Sequence, residues 1–166
     1  MPPPGPAQLE AAKRGVLLHR LFERLPGVDP AERLEAALRW LAGSAGLLDE
    51  GRRSEVAHAA CAIIGDPAFE ELFGPNSLAE APIAATLDDG RVIAGTVDRL
   101  LVTQTAVRVI DFKTGRNFPA SAAEVPRGHF AQMTAYADAL RVIFPGRVVE
   151  SALLYTAGPK LIVLDC

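Results

Sequence analysis

Two cysteines in 166 residues, Cys61 and Cys166, are too few for a disulfide framework and too few for a four-thiolate zinc or iron–sulfur site. Any metal must then be held by oxygen and nitrogen, and no iron–sulfur cluster is expected. No uninterrupted apolar run approaches the ~20 residues of a membrane span. The N-terminus also has neither a basic n-region nor an apolar h-region, so the expected location is cytoplasmic, with no membrane partner. An excess of positive charge is missing too: a net charge of −3 gives no global basic footprint, so an anionic partner needs a local positive field. Residues 111–147 lean that way, with Lys113, Arg116, Arg127, Arg141 and Arg147 against Asp111, Glu124 and Asp138. Lysine is scarce, three against fourteen arginines, which marks Lys113 as a chemical choice rather than any cation.

A hydrophobic fraction of 49% with 22% charged residues is that of a globular protein, and the length suits one domain with one sizeable core. The leader "MPPPGP" is expected to be a non-helical linker over residues 1–6. Apolar residues at helical spacing predict a first helix over 7–25, stopped by Pro26-Gly27. Asp29-Pro30 predicts the start of a second, with the face Leu34, Leu38 and Leu41. A third is expected over 53–64, and a short piece from Asp66-Pro67 to Phe73.

After Gly74-Pro75 the pattern changes. "LAEAPIAATL", the turn Asp88-Asp89-Gly90, "RVIAGTVDRLLVT" and "AVRVIDFKTG" predict a three-stranded meander. A helix over 127–144 and two closing strands, "VVESALLYT" and "KLIVLDC", follow. The expected architecture is a mixed α/β domain over 7–166, a helical part (7–75) leading into a sheet core with a late helix (76–166).

Strand alternation puts Val107, Val109, Asp111 and Lys113 on one face, so an acid and an amine emerge side by side where the strand leaves the core. An edge salt bridge would explain that pair alone. Asp98, in "GTVD" on the preceding strand, changes the balance, because two acids brought together repel unless a cation sits between them; pairing of Asp98 with Arg99 or an arginine elsewhere is the alternative. Hard divalent ions such as magnesium take oxygen ligands of this kind. In the first helix, Gly15 lies four residues before His19 and clears space beside the imidazole, at a cost of about 1 kcal/mol against alanine that needs a reason. Glu80 could bring a further carboxylate to the same end of the sheet. Gln132 and Tyr136, four apart on the late helix, could touch a phosphate or a base, or simply pack.

In order, Gly15-x-x-x-His19, Glu80-x-Pro82, Gly95-x-x-Asp98, Asp111-x-Lys113 and Gln132-x-x-x-Tyr136 resemble the motif series of the PD-(D/E)xK nuclease superfamily. More narrowly they are similar to the RecB/AddA-type nuclease domain of bacterial helicase-nucleases, in its AddA-like branch, since the four cluster cysteines of other branches are missing. The resemblance implies a restriction-endonuclease-like core, a central mixed sheet flanked by helices behind an N-terminal helical segment. It implies that His19, Asp98, Asp111 and the backbone carbonyl of Phe112 bind Mg2+, or Mn2+, and that Asp98, Asp111 and Lys113 are catalytic, with Lys113 orienting or deprotonating the attacking water. Gln132, Tyr136, Glu80, Arg99 and Arg116 are the expected substrate-binding residues.

The implied activity is hydrolysis of single-stranded DNA in double-strand break repair and recombination, leaving a 5′-phosphate. The helicase motor of a longer chain would deliver the strand, and a second helicase-nuclease subunit is the expected partner. The motor's phosphate loop is absent from this sequence, since "AGPK" at 157–160 lacks its spacing and hydroxyl. The alternative function is a catalytically inactive nuclease-like module that binds DNA or a partner subunit.

Overall fold

The computed structural model describes residues 2–166, which divide into two compact units, one ending at Gly74 and one spanning Pro75–Cys166. The first unit is helical: α1 (Pro6–Arg24), α2 (Arg33–Ser44), α3 (Glu50–Ile64) and a 3-10 helix over Pro67–Phe73. Pro6, expected in the leader, instead opens α1, where the missing proline N–H would have had no partner anyway. Asp29-Pro30 does not start α2. The Asp29 carboxylate accepts from the Ala31 N–H (2.9 Å) and closes a turn, so the helix begins at Arg33. Its apolar face is also rotated: Ala37 and Leu41 are buried and Leu38 is 36% exposed. Asp49 and Asp66 cap α3 and the 3-10 helix through the N–H groups of Arg52 (2.8 Å) and Ala68 (2.9 Å). Phe22 of α1 packs on Phe73 with ring centroids 5.6 Å apart, and Arg14 of α1 pairs with Glu55 of α3 at 2.6 Å.

The second unit carries β1 (Ser77–Thr86), β2 (Val92–Val102), β3 (Ala106–Lys113), α4 (Arg127–Ile143), β4 (Val148–Tyr155) and β5 (Lys160–Leu164). The strands form one mixed sheet in the order β1-β2-β3-β4-β5, antiparallel except for β3 and β4. A parallel neighbour needs a crossover, and α4 supplies it. Gly90 turns the β1–β2 hairpin with φ 85°, a conformation that favours glycine. The packed face of the sheet, with Val107, Val109, Leu153 and Tyr155, meets Met133, Ala139 and Leu140 of α4. This is the restriction-endonuclease-like architecture expected from the sequence. Among the described residues no helix is long and apolar enough to cross a membrane.

Leu153 is fully buried at the centre of this face, so Leu153→Ala is expected to cost about 2–5 kcal/mol in denaturant unfolding. Val163→Ala, at a 55% exposed position of β5, should stay within about 0.5 kcal/mol. Similar losses for the two variants would contradict this placement of the core.

Candidate active site

Strand register builds the site. The last β2–β3 rung pairs Arg99 with Ile110, and one step further Asp98 stands opposite Asp111. On the other side of β2 the pairing is continuous except for one missing rung, between Ala79↔Arg99 and Ala81↔Val97, where Glu80 stands opposite Asp98. Glu80, Asp98 and Asp111 therefore follow one another across three adjacent strands. The same rung runs on through Leu153 and Ile162, both in the core. A row of carboxylates thus ends against a wall of leucine and isoleucine.

The backbone is bent to make this row. Glu80 has φ 48°, the only positive φ of a non-glycine among the described residues, a conformation that costs about 1–3 kcal/mol. Regular pleating also fails here: Val97 and Leu100, an odd number of residues apart, both join the same core cluster. At that break, carboxylate oxygens of Glu80 and Asp98 lie within 4.8 Å of each other. Asp98 accepts a 2.7 Å hydrogen bond from the Phe112 N–H, replacing the next ladder bond of β3. In a strand the N–H and C=O of one residue point to the same side, so the Phe112 carbonyl faces the acids as well.

Asp111 and Lys113 follow Val107 and Val109 onto the α4 face. The Lys113 Nζ lies 2.7 Å from an Asp111 oxygen, with both side chains less than a fifth exposed. Lys113 also donates to Gln132 Oε1 (3.2 Å), and Gln132 Nε2 donates to the Tyr136 hydroxyl (3.4 Å). Tyr136 reaches back over β2 at Gly95, where an added Cβ would lie 3.1 Å from the phenol oxygen. The motif glycine is thus the seat of the motif tyrosine. The structure joins Glu80, Asp98, Asp111, Lys113, Gln132 and Tyr136 into one group.

Two expected substrate-binding residues stand elsewhere in the second unit. Arg99 is only 4% exposed and its guanidinium donates to the Ser77 carbonyl at 3.4 Å, a packing role rather than an open binding position. Arg116 is exposed just past β3. His19 is half-buried on α1 of the helical unit, one turn beyond the buried Gly15.

Two residues join the group without having been expected. His129, three and seven positions before Gln132 and Tyr136 on α4, has a buried Nδ1 with no hydrogen-bond partner. Burial holds its pKa below the ordinary imidazole value, and the Lys113 charge adds to this. Its helical spacing to the glutamine and tyrosine was the available signal. Tyr155 pairs with Lys113 across β3 and β4, and its buried hydroxyl also lacks a partner. Burial, then the Asp111 charge, pushes the phenol pKa up. Nothing in the sequence marked Tyr155, because the parallel pairing that places it was not readable.

Asp111 carries the electrostatic tension of the site. Burial first, and the Asp98 charge second, raise its carboxyl pKa from 3.8 to about 6, although Lys113 pulls the other way. Carboxylates crowded in a dry setting beside one ammonium match a hard divalent cation, and Glu80, Asp98, Asp111 and the Phe112 carbonyl offer the oxygen donors that such an ion takes.

A carboxyl whose folded pKa exceeds its unfolded value of about 3.9 binds more protons in the folded state between those two values. Its contribution to the stability of the metal-free chain is therefore present at low pH and lost as pH rises through about 6. Asp111→Asn, which keeps the shape and removes the charge, should raise the Tm in a chelator at pH 7.5 by roughly 2 °C or more. It should also flatten the dependence of Tm on pH between about 4 and 6. A lower Tm for the variant at pH 7.5 would contradict this electrostatic assignment.

No curated protein matches the chain. A crystal structure of SSO0001 is similar over 91% of this chain and 76% of that one, at 15% identity and a TM-score of 0.39, a likeness too loose to build on. The model of the PD-(D/E)XK nuclease superfamily matches residues 2–161. With that match over nearly the whole length, and the acids and lysine of the motif series standing together at the end of β3, the chain belongs to the PD-(D/E)XK nuclease superfamily.

Proposed function

We propose that this domain is a Mg2+-dependent deoxyribonuclease, with Mn2+ as a substitute ion, that hydrolyses phosphodiester bonds of single-stranded DNA. The observation that supports it most is the carboxylate row Glu80, Asp98 and Asp111 with a half-buried lysine at 2.7 Å from its last member. Asp98 and Asp111, with the Phe112 carbonyl, would hold the ion, and the motif series adds His19 as an imidazole ligand. Such an ion polarises a phosphoryl oxygen and makes a water more acidic.

The chain's own groups do the rest. Two of the three Lys113 donors are committed, to Asp111 and Gln132, which holds the ammonium still and leaves one N–H to orient the attacking water. The same ammonium screens the negative charge that builds up on the phosphate. Gln132 is itself held by Tyr136, so the lysine is positioned from β3 and from α4 at once. The water gives up a proton to solvent as its oxygen bonds to phosphorus, the bond to the 3′-oxygen breaks, that oxygen takes up a proton from solvent, and the product keeps a 5′-phosphate.

Delivery of the strand by a helicase motor, a second helicase-nuclease subunit, and a place in double-strand break repair and recombination belong to the same reading. They rest on the RecB/AddA-type resemblance of the motifs.

The test is cleavage of labelled single-stranded DNA with Mg2+ or Mn2+. Asp111→Ala and Lys113→Ala should each lower the rate by about 100-fold or more, with folding checked by circular dichroism. Undiminished cutting by the Lys113 variant would overturn the mechanism.

A further inference from the structure

Arg116 and Arg127 are the only arginines, among the described residues, whose side chains make no hydrogen bond, ion pair or ring contact inside the chain. Phe118 (49% exposed) and Phe130 (37%) are the only exposed phenylalanines among the described residues. No tyrosine or tryptophan reaches their exposure class. All four fall within fifteen consecutive residues that begin three positions after Lys113. Unpaired guanidinium groups alternate with exposed aromatics beside a site built for phosphodiesters.

The loop between β3 and α4 is held in place. Lys160 donates from its Nζ to the Ala120 carbonyl, and Glu124 accepts from the Ala120 N–H at 2.9 Å. The register ties that anchor to the catalytic end of the sheet, because Lys113 pairs with Tyr155 and Tyr155 with Lys160. The outer half of the Phe118 ring lies against Gly158, in the turn between β4 and β5. A Cβ on Gly158 would sit 2.5 Å from Phe118 Cζ, so only glycine admits the ring there. The ring tip is thus seated against backbone while the side chain stays 49% exposed, which lowers the entropy lost on stacking.

We propose that Phe118, seated on Gly158, is a stacking platform for an unpaired nucleobase, with Arg116 and Arg127 taking the flanking phosphates. A duplex hides its base faces, so the occupant is single-stranded nucleic acid. Stacking of this kind accepts every base, and guanidinium contacts to the backbone are equally indifferent to sequence. The inference deepens the nuclease reading and rests on it for the class of ligand.

The experiment measures fluorescence anisotropy of a labelled oligothymidylate, and of an abasic oligomer of the same length, with the 166-residue chain in Ca2+ to hold off cleavage. The natural sequence should prefer the base-bearing strand by about 5- to 150-fold, the range for one stacked base. Phe118→Ala should lose that preference and Phe118→Trp keep it. Gly158→Ala, which pushes the ring off its seat without deleting it, should reduce it too and serves if Phe118→Ala does not fold. Arg116→Ala and Arg127→Ala should weaken both oligomers alike, each lowering the slope of log affinity against log salt by about 0.7. Equal binding of the two oligomers, no binding of either, or a preference that survives in both Phe118→Ala and Gly158→Ala overturns the proposal. Cleavage of DNA in Mn2+ by the same preparation is read separately. Cutting with no base preference rejects the platform alone, and base-dependent binding with no cutting rejects the nuclease reading alone.

Discussion

Repulsion between carboxylates on neighbouring strands, in a setting too dry to screen it, is the constraint on which the second unit turns. Sheet register forces Asp98 and Asp111 to face each other one step past the last β2–β3 rung, and Glu80 completes the row from β1. A fold selected for stability alone would place aliphatic residues there, as β4 and β5 do on the same rung with Leu153 and Ile162. The raised Asp111 pKa and the left-handed backbone at Glu80 are two signs of one cost. Strain and unscreened charge of this sort gather where a protein holds a ligand.

The surrounding parts keep that charge in position. Lys113 offsets part of it from within β3, and α4 fixes Lys113 through Gln132 and Tyr136. Gly95 lets the tyrosine lie against β2, so α4 bears on the strand that carries Asp98. The parallel β3–β4 pair, possible only because α4 crosses over, brings Tyr155 beside Lys113 and the β4–β5 turn beside the loop that follows it. Topology thus decides which side chains share the end of the sheet, and the motif residues are the ones that meet there.

Much of this was legible in the sequence because the signals were local. Every strand falls within a few residues of its expected span, since alternation and the turn residues at Asp88-Asp89-Gly90 act over short distances. The emergence of Asp111 and Lys113 on one face followed from the two-residue period. Non-local choices were not legible. Whether Ala37 or Leu38 turns inward depends on how α2 is rotated about its axis where it packs on α3. The burial of Arg99 follows from its opposition to Ile110, and the roles of His129 and Tyr155 follow from neighbours brought by α4 and β4. A positive φ at Glu80 has no sequence signature, because glutamate rarely adopts it.

The central claim is that the row of acids is a cation site whose ligands must first give up a proton. Calorimetric titration of Mn2+ in buffers of different ionisation enthalpy tests it most directly. The account predicts binding accompanied by proton release at pH 5.5, where Asp111 with its pKa of about 6 is largely protonated, and little release at pH 7.5. It further predicts that binding is lost in Asp98→Asn and Asp111→Asn. Manganese bound as tightly by those variants as by the natural sequence, or not bound by either, would contradict it.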